Sequence, residues 1–255
     1  MYDISYSDPQ GNLYQFSEQL WTVAVERAGI SGMVGRLTDS TVASTQWGGQ
    51  VLEHQAPEPM KGVLTLVVYA ETEHDVDDLY ARLRAAFSPT RRGALNISGD
   101  RYGAHTAMVR LDGNIDPPDV DTDGEQFVAK IKVPLVADDG VWRAEPFADS
   151  GDVVVTNPSP VVMHVGAVWS AKSRIYLPSS WPIELPAVSG KRRVEFDPRT
   201  GYTVRDMDGV IDEATTRVVV RTAVPEPVPA GESRKFSTTG DAELTWQVPT
   251  LDPWL

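Results

Sequence analysis

A single stretch of this 255-residue chain carries a clear helical repeat, and that limits the fold more than any other feature. Val76, Leu79, Tyr80, Leu83 and Phe87 follow one another at helical spacing, with Asp77, Asp78, Arg82 and Arg84 in the positions between. Thr72 stands three residues before Asp75, so hydroxyl and carboxylate can serve each other's backbone donors in a capping box. Ser88-Pro89 stops the pattern, because proline disfavours helical geometry in the residue before it. The spacing therefore predicts one amphipathic helix over 72–87, laid on a sheet to bury one face. Elsewhere, apolar and β-branched residues alternate between clusters of Gly, Pro, Asn and Asp, which is the pattern of short strands. The expected class is mainly β with one amphipathic helix.

Composition narrows the chemistry. The chain has no cysteine, which removes disulfides, thiolate metal sites and cysteine nucleophiles together. Hydrophobic residues at 41% and charged residues at 23% exclude wholesale disorder. No apolar run approaches the roughly 18–20 residues that a membrane-spanning helix needs, so no membrane partner is expected. Residues Met1 to Asp8 lack the basic and apolar regions of a secretory signal, which predicts a protein not exported by that route. The net charge of −13 makes duplex nucleic acid a poor candidate for tight binding. That charge is uneven: residues 1–150 hold 12 basic and 23 acidic side chains, net −11, against 11 and 13, net −2, in 151–255.

The chain also divides by pattern. In the first part, Thr106 to Leu111 and Phe127 to Val133 are expected to form a hairpin, with Phe127, Ala129, Ile131 and Val133 on one face and Lys130 and Lys132 on the other. Between them, Asp112 to Gln126 reads as an acidic loop without a single Lys or Arg. A boundary falls near Ala144 to Asp152, giving expected domains of 1–146 and 147–255. Beyond it the pattern predicts no helix. Strands are expected around Val161 to Trp169, Ser173 to Leu177, Arg193 to Phe196, Tyr202 to Arg205, Arg217 to Arg221 and Ala242 to Val248, with an extended connector at Pro225 to Pro229. So many short strands in about 100 residues point to a β-sandwich.

Asp119, Asp121, Asp123 and Gly124 occupy the first, third, fifth and sixth positions of a calcium loop. The twelfth position should be a bidentate Glu and is Lys130, a cation that cannot ligate, which favours a solvated acidic hairpin tip. No metal or cofactor is assigned. His54, His74, His105 and His164 show no i, i+4 pair, no G-x-S-x-G elbow is complete, and Gly190-Lys191 lacks the upstream glycine of a phosphate loop. A glycan-degrading pair of carboxylates is possible in principle, and the sequence favours no pair. A lectin-like module is the other alternative, because exposed tryptophans can stack on sugar rings. Trp169 and Trp246 lie inside strand patterns and are expected in the core, Trp181 beside Pro182 is open to either reading, and Trp254 could dock on a neighbouring surface.

The order of these pieces resembles a known family. In the first part, Gly62-Val63-Leu64-Thr65-Leu66-Val67-Val68-Tyr69 is followed by the helix to Phe87-Ser88-Pro89, then Gly93-Ala94-Leu95-Asn96-Ile97, and ends at Val133 to Trp142, where Asp139 precedes Gly140 instead of the usual Pro. In the second come Asn157-Pro158, Val194-Glu195-Phe196-Asp197 with the turn to Tyr202, Pro229-Ala230-Gly231-Glu232 and Leu244-Thr245-Trp246. Order and spacing over nearly the whole chain resemble the distal tail protein family of long-tailed, siphovirus-type bacteriophages, most closely the minor tail protein version found in phages of actinobacteria.

The resemblance implies structural work. It implies an N-terminal ring-forming β domain and a C-terminal galectin-like β-sandwich without the sugar-binding residues of true galectins. It further implies a virion protein at the tail tip, assembled in the host cytoplasm as a homohexamer. Such a ring would join the major tail protein of the tail tube to a tail-associated lysin or central tip protein, and serve as a hub for side fibres or other minor tail proteins. The family brings no catalytic residues. Under that reading genomic DNA passes through the ring without tight binding, and Asp116, Asp119, Asp121 and Asp123 are the candidates to face the lumen, where an acidic wall repels phosphate. A place at the outer rim is the alternative for that loop.

Overall fold

The alternation at 127–133 extends into a long strand, Gln126–Ala137, in which Ala129, Ile131, Val133 and Leu135 are buried and Lys130 and Lys132 exposed. This computed structural model describes residues 2–16, 22–43, 50–101, 103–123, 126–224 and 226–254. Gly124 and Glu125 of the acidic tip and Pro225 of the connector lie outside the described residues, as does the side chain of His54. The protein is mainly β, as expected, in several antiparallel sheets. Two units emerge, one of residues 1–144 with 250–255 and one of 145–249.

The first unit contains β1 (Tyr2–Ser7), β2 (Leu13–Gln15), β3 (Val23–Gly32), β4 (Leu37–Ala43), β5 (Gln50–Pro57), β6 (Met60–Ala70), α1 (Glu73–Ala86), β7 (Gly93–Gly99), β8 (Gly103–Leu111), β9 (Val120–Asp123), β10 (Gln126–Ala137) and β11 (Trp142–Ala144). Its main sheet runs β2-β1-β7-β8-β10-β6-β3, while β4 and β5 form a separate two-stranded ribbon. The helix has the expected Thr72 N-cap, the Asp75 amide donating to Thr72 Oγ1 at 3.1 Å; the Thr72 hydroxyl donates to the Asp75 carboxylate at 2.6 Å, a side-chain pair and not the reciprocal backbone bond of a capping box. It packs across β6 and β10 and buries Val76, Tyr80 and Leu83. Trp142 is fully buried and donates its indole N–H to Met33 O at 2.8 Å.

The expected hairpin is differently built. β10 meets β8 only at Leu135↔Leu111 and Val136↔Arg110, whereas its start pairs with β9 from Gln126↔Asp123 to Ala129↔Val120. The segment 112–126 therefore holds a strand where a loop was expected. Two successive strands share one edge of β10, separated by the excursion 112–119.

The second unit contains β12 (Phe147–Asp149), β13 (Asp152–Thr156), β14 (Val165–Trp169), β15 (Ser173–Tyr176), β16 (Pro182–Leu185), β17 (Arg192–Glu195), β18 (Arg205–Asp206), α2 (Glu213–Val219), β19 (Ser233–Thr239) and β20 (Glu243–Trp246). Sheets β12-β20-β14-β17-β18 and β13-β19-β15-β16 enclose one core that takes Val165, Trp169 and Leu244 from the first and Val155, Ile183 and Phe236 from the second. This is a sandwich. Two expectations fail here. Residues 217–221, expected as a strand, belong to α2 and the turn that follows it. Tyr202 lies outside any strand, in a left-handed conformation with φ +55°, and only Arg205 of the expected 202–205 strand is paired.

The end of the chain differs as well. After β21 (Pro249–Thr250), which pairs with β11, the last residues belong to the first unit and not to the sandwich. There the Gly35 amide donates to Leu251 O at 2.7 Å, and Trp254 packs against the first core.

Candidate functional site

Three of the four acidic candidates follow one another along β9 and the residue before it. Asp119, Asp121 and Asp123 alternate with Val120 and Thr122, and a strand sends alternate side chains to opposite faces. Val120 packs against the core, and the three aspartates point outward. Asp121 lies opposite Val128 on β10, so its carboxylate shares a face with Val128, Lys130 and Lys132. The signal was present in the sequence, because D-V-D-T-D has a period of two; the charge of its residues masked it, aspartate being poorly represented in strands.

The extended backbone also spaces the carboxylates along the strand. Side chains two apart on a strand are separated by about 6–7 Å, so these carboxylates do not converge on one ion as a coiled calcium loop requires. Among the described residues no group of three His, Cys, Asp or Glu is placed to hold a metal. Lys130, at the position a ligand would occupy, is bonded to the Glu26 carboxylate at 2.5 Å, and that bond raises the ammonium pKa.

Asp116 sits apart from the row. Its backbone carbonyl accepts the Tyr80 phenol at 2.7 Å, which fastens the excursion to α1, and burial pushes the Tyr80 pKa up. Tyr80, Asp116, Asp119, Asp121, Asp123 and Lys130 line one groove of about 610 Å³. Among the described residues β9 has no strand partner but β10 and β3 none but β6, while the Val25 amide of β3 donates to Phe16 O at 3.3 Å. Among the described residues the site thus offers a sheet edge and an acidic row.

The tryptophans divide as their surroundings dictate. Trp169 is buried and donates its indole N–H to Pro186 O at 2.8 Å. Trp246 is partly buried, and Trp181 is 51% exposed.

No family model matches the sequence, and no curated protein matches it. Solved structures do. The protein resembles the SPP1 Dit (gp 19.1) protein, described as a paradigm of the hub adsorption apparatus in phages infecting Gram-positive bacteria, with a TM-score of 0.59 over 98% of this chain and 99% of that one at 10% identity. The fold is that of a phage distal tail (Dit) protein. Chains of the phage P2 baseplate in its activated conformation share the Dit-like fold, with TM-scores of 0.55 for the calcium structure and 0.52 for the strontium structure. Each is 10% identical over 97% of this chain and 98% of the matched chain. The Dit likeness takes in both units, and it bears out the family resemblance at the level of fold.

Proposed function

We propose that the protein is a structural hub of a phage tail tip, without enzymatic activity. The observation that carries this reading is the likeness to a Dit protein over essentially the full length of both chains. In this reading a homohexameric ring joins the tail tube, through its major tail protein, to the tail-associated lysin or central tip protein, and carries side fibres or other minor tail proteins. Its location is the virion tail tip, after assembly in the host cytoplasm. The outer edge of β9, without a strand partner among the described residues, supplies a means of closure, since such an edge on one copy can pair with a strand of the next.

The acidic row has a role in the same reading. Asp119, Asp121 and Asp123 share the sheet face opposite α1, and with Asp116 they would line a lumen through which DNA passes without adhering.

Light scattering with negative-stain imaging, for the protein alone and with purified tail tubes, tests both parts. Sixfold rings with an open centre support the hub. A chain that stays monomeric alone and never caps a tube end overturns it. Rings carrying these carboxylates on the outer rim would leave the hub intact and sink the lumen assignment.

A further inference from the structure

The exposed apolar surface of the second unit is concentrated in one place. Of 13 large apolar side chains exposed among the described residues, six fall between Met207 and Val224. That segment leaves the sandwich after β18, turns back where the Asp206 amide donates to Val210 O at 2.9 Å, and then forms α2. Trp181 joins it from the turn before β16, donating its indole N–H to Thr222 O at 2.9 Å. Its exposed ring is thereby held against the end of the helix.

The helix itself conflicts with its sequence. Thr215, Thr216, Val218, Val219 and Val220 are β-branched and disfavour helix. It is held by the Asp212 cap on the Thr215 amide, 3.0 Å, by the Arg192–Asp212 ion pair, 2.9 Å, and by burial of Thr215 and Val219. Such conflicts between local preference and fold concentrate at functional positions. Arg217 and Val218 are exposed on the last turn of α2, and the turn that follows carries Val220 and Arg221, also exposed. Both arginines are exposed, and neither has an ion-pair partner among the described residues.

We infer that Arg217, Arg221, Val218, Val220 and the Trp181 indole form a docking surface for a protein partner that presents carboxylates set between apolar side chains. Charge complementarity favours that partner: two unneutralised guanidinium groups stand beside exposed apolar side chains, and an exposed aromatic with arginine is the composition of an interface centre. This inference deepens the hub reading by locating one attached protein, and rests on it only for the choice of proteins to test.

The experiment immobilises the full chain and measures binding of each other structural protein of the same phage particle, purified singly, at low and physiological salt. One of them binds, and the double variant Arg217→Glu with Arg221→Glu weakens it by about tenfold or more. Trp181→Ala weakens it as well, while Val154→Ser, at an exposed apolar position on β13, leaves it unchanged. Melting curves for all variants check that folding is intact. The inference is overturned if no particle protein binds, if every binder tolerates the double variant, or if the arginines instead hold duplex DNA or a second copy of the chain. Rings without such binding remove the docking surface and keep the hub; binding without rings does the reverse.

Discussion

Phe147 stacks on Trp246, with ring centroids 5.7 Å apart and planes 15° from parallel, at a point where the two residues are direct partners in the β12–β20 ladder. These strands are the first and last of the second unit, so one antiparallel pair clasps its entrance and exit. Replacing Phe147 with Ala should lower the stability of that unit by about 1 kcal/mol, in line with aromatic pairs elsewhere. Phe147 is 51% exposed, so little core is lost with it. Thermal melts followed at the tryptophans of an isolated 145–249 fragment read this directly, and an unchanged midpoint would show the stack to be incidental.

The clasp makes the second unit an insertion. Residues 1–144 and 250–255 form one unit around it, and β11 pairs with β21 where the chain leaves and returns. Excising 145–249 and joining Ala144 to Thr250 through a short Gly-Ser linker should therefore leave a protein that unfolds cooperatively. Loss of a single sharp denaturant transition in that shortened chain would refute independence of the first unit.

Asn157 is fully buried and works as a staple in the second unit. Its amide nitrogen donates to Val161 O at 2.8 Å and Val228 O at 3.0 Å, and its oxygen accepts from the Ser159 amide at 3.1 Å. Asn157→Ala removes the partner of Val161 O and of the Ser159 amide, while Val228 O keeps the Met163 amide at 3.1 Å, at a cost of about 1–3 kcal/mol. Urea titration of the variant checks the figure; a shift below about 0.5 kcal/mol would mean that water or local rearrangement replaces the side chain.

Asp138 carries a pH-dependent part of the first unit's stability. Arg110 grips its carboxylate, with Nη2 at 2.8 Å and Nε at 3.0 Å, Arg92 adds a contact at 3.2 Å, and these hold its pKa below the ordinary carboxylate value. A depressed pKa means that the contribution is present above the ordinary aspartate pKa of about 3.9 and is lost as pH falls through the lower, folded-state value. Asp138→Asn should thus cost about 1 kcal/mol at pH 7, and the gap from wild type should close on acidification. A gap that persists at pH 2 would assign the loss to shape and not to charge.

Along β9 the like charges oppose one another. Converting Asp119, Asp121 and Asp123 together to Asn should leave the fold unchanged and raise stability by a few tenths of a kcal/mol. Added calcium should shift the melting point of neither protein. A calcium-dependent rise confined to wild type would restore the metal-loop reading.

The helix at 73–86 was readable because its evidence is local: a cap, a repeat and a proline stop lie within 18 residues, 72–89. β6 and β10 were readable for a similar reason, their alternation being long enough to mark one buried face. α2 was not, since Val218-Val219-Val220 favours strand and only the Asp212 cap and the sandwich core override that preference. β9 was hidden because charge and turn chemistry describe the same residues as a loop until Phe127 to Ala129 supply hydrogen-bond partners.

The sequence by itself determined the class of fold, the position of α1, the absence of thiol chemistry and the acidic bias of the first part, all of which follow from composition or from neighbours within a few residues. Tertiary structure decided which strands pair, that the last residues return to the first unit, that the aspartates form a row along a sheet edge, and that Arg217 and Arg221 are exposed at the end of α2 and in the turn after it. Those outcomes depend on contacts between residues far apart in the chain, and a side chain's local pattern does not record which distant backbone will satisfy its neighbours' hydrogen bonds.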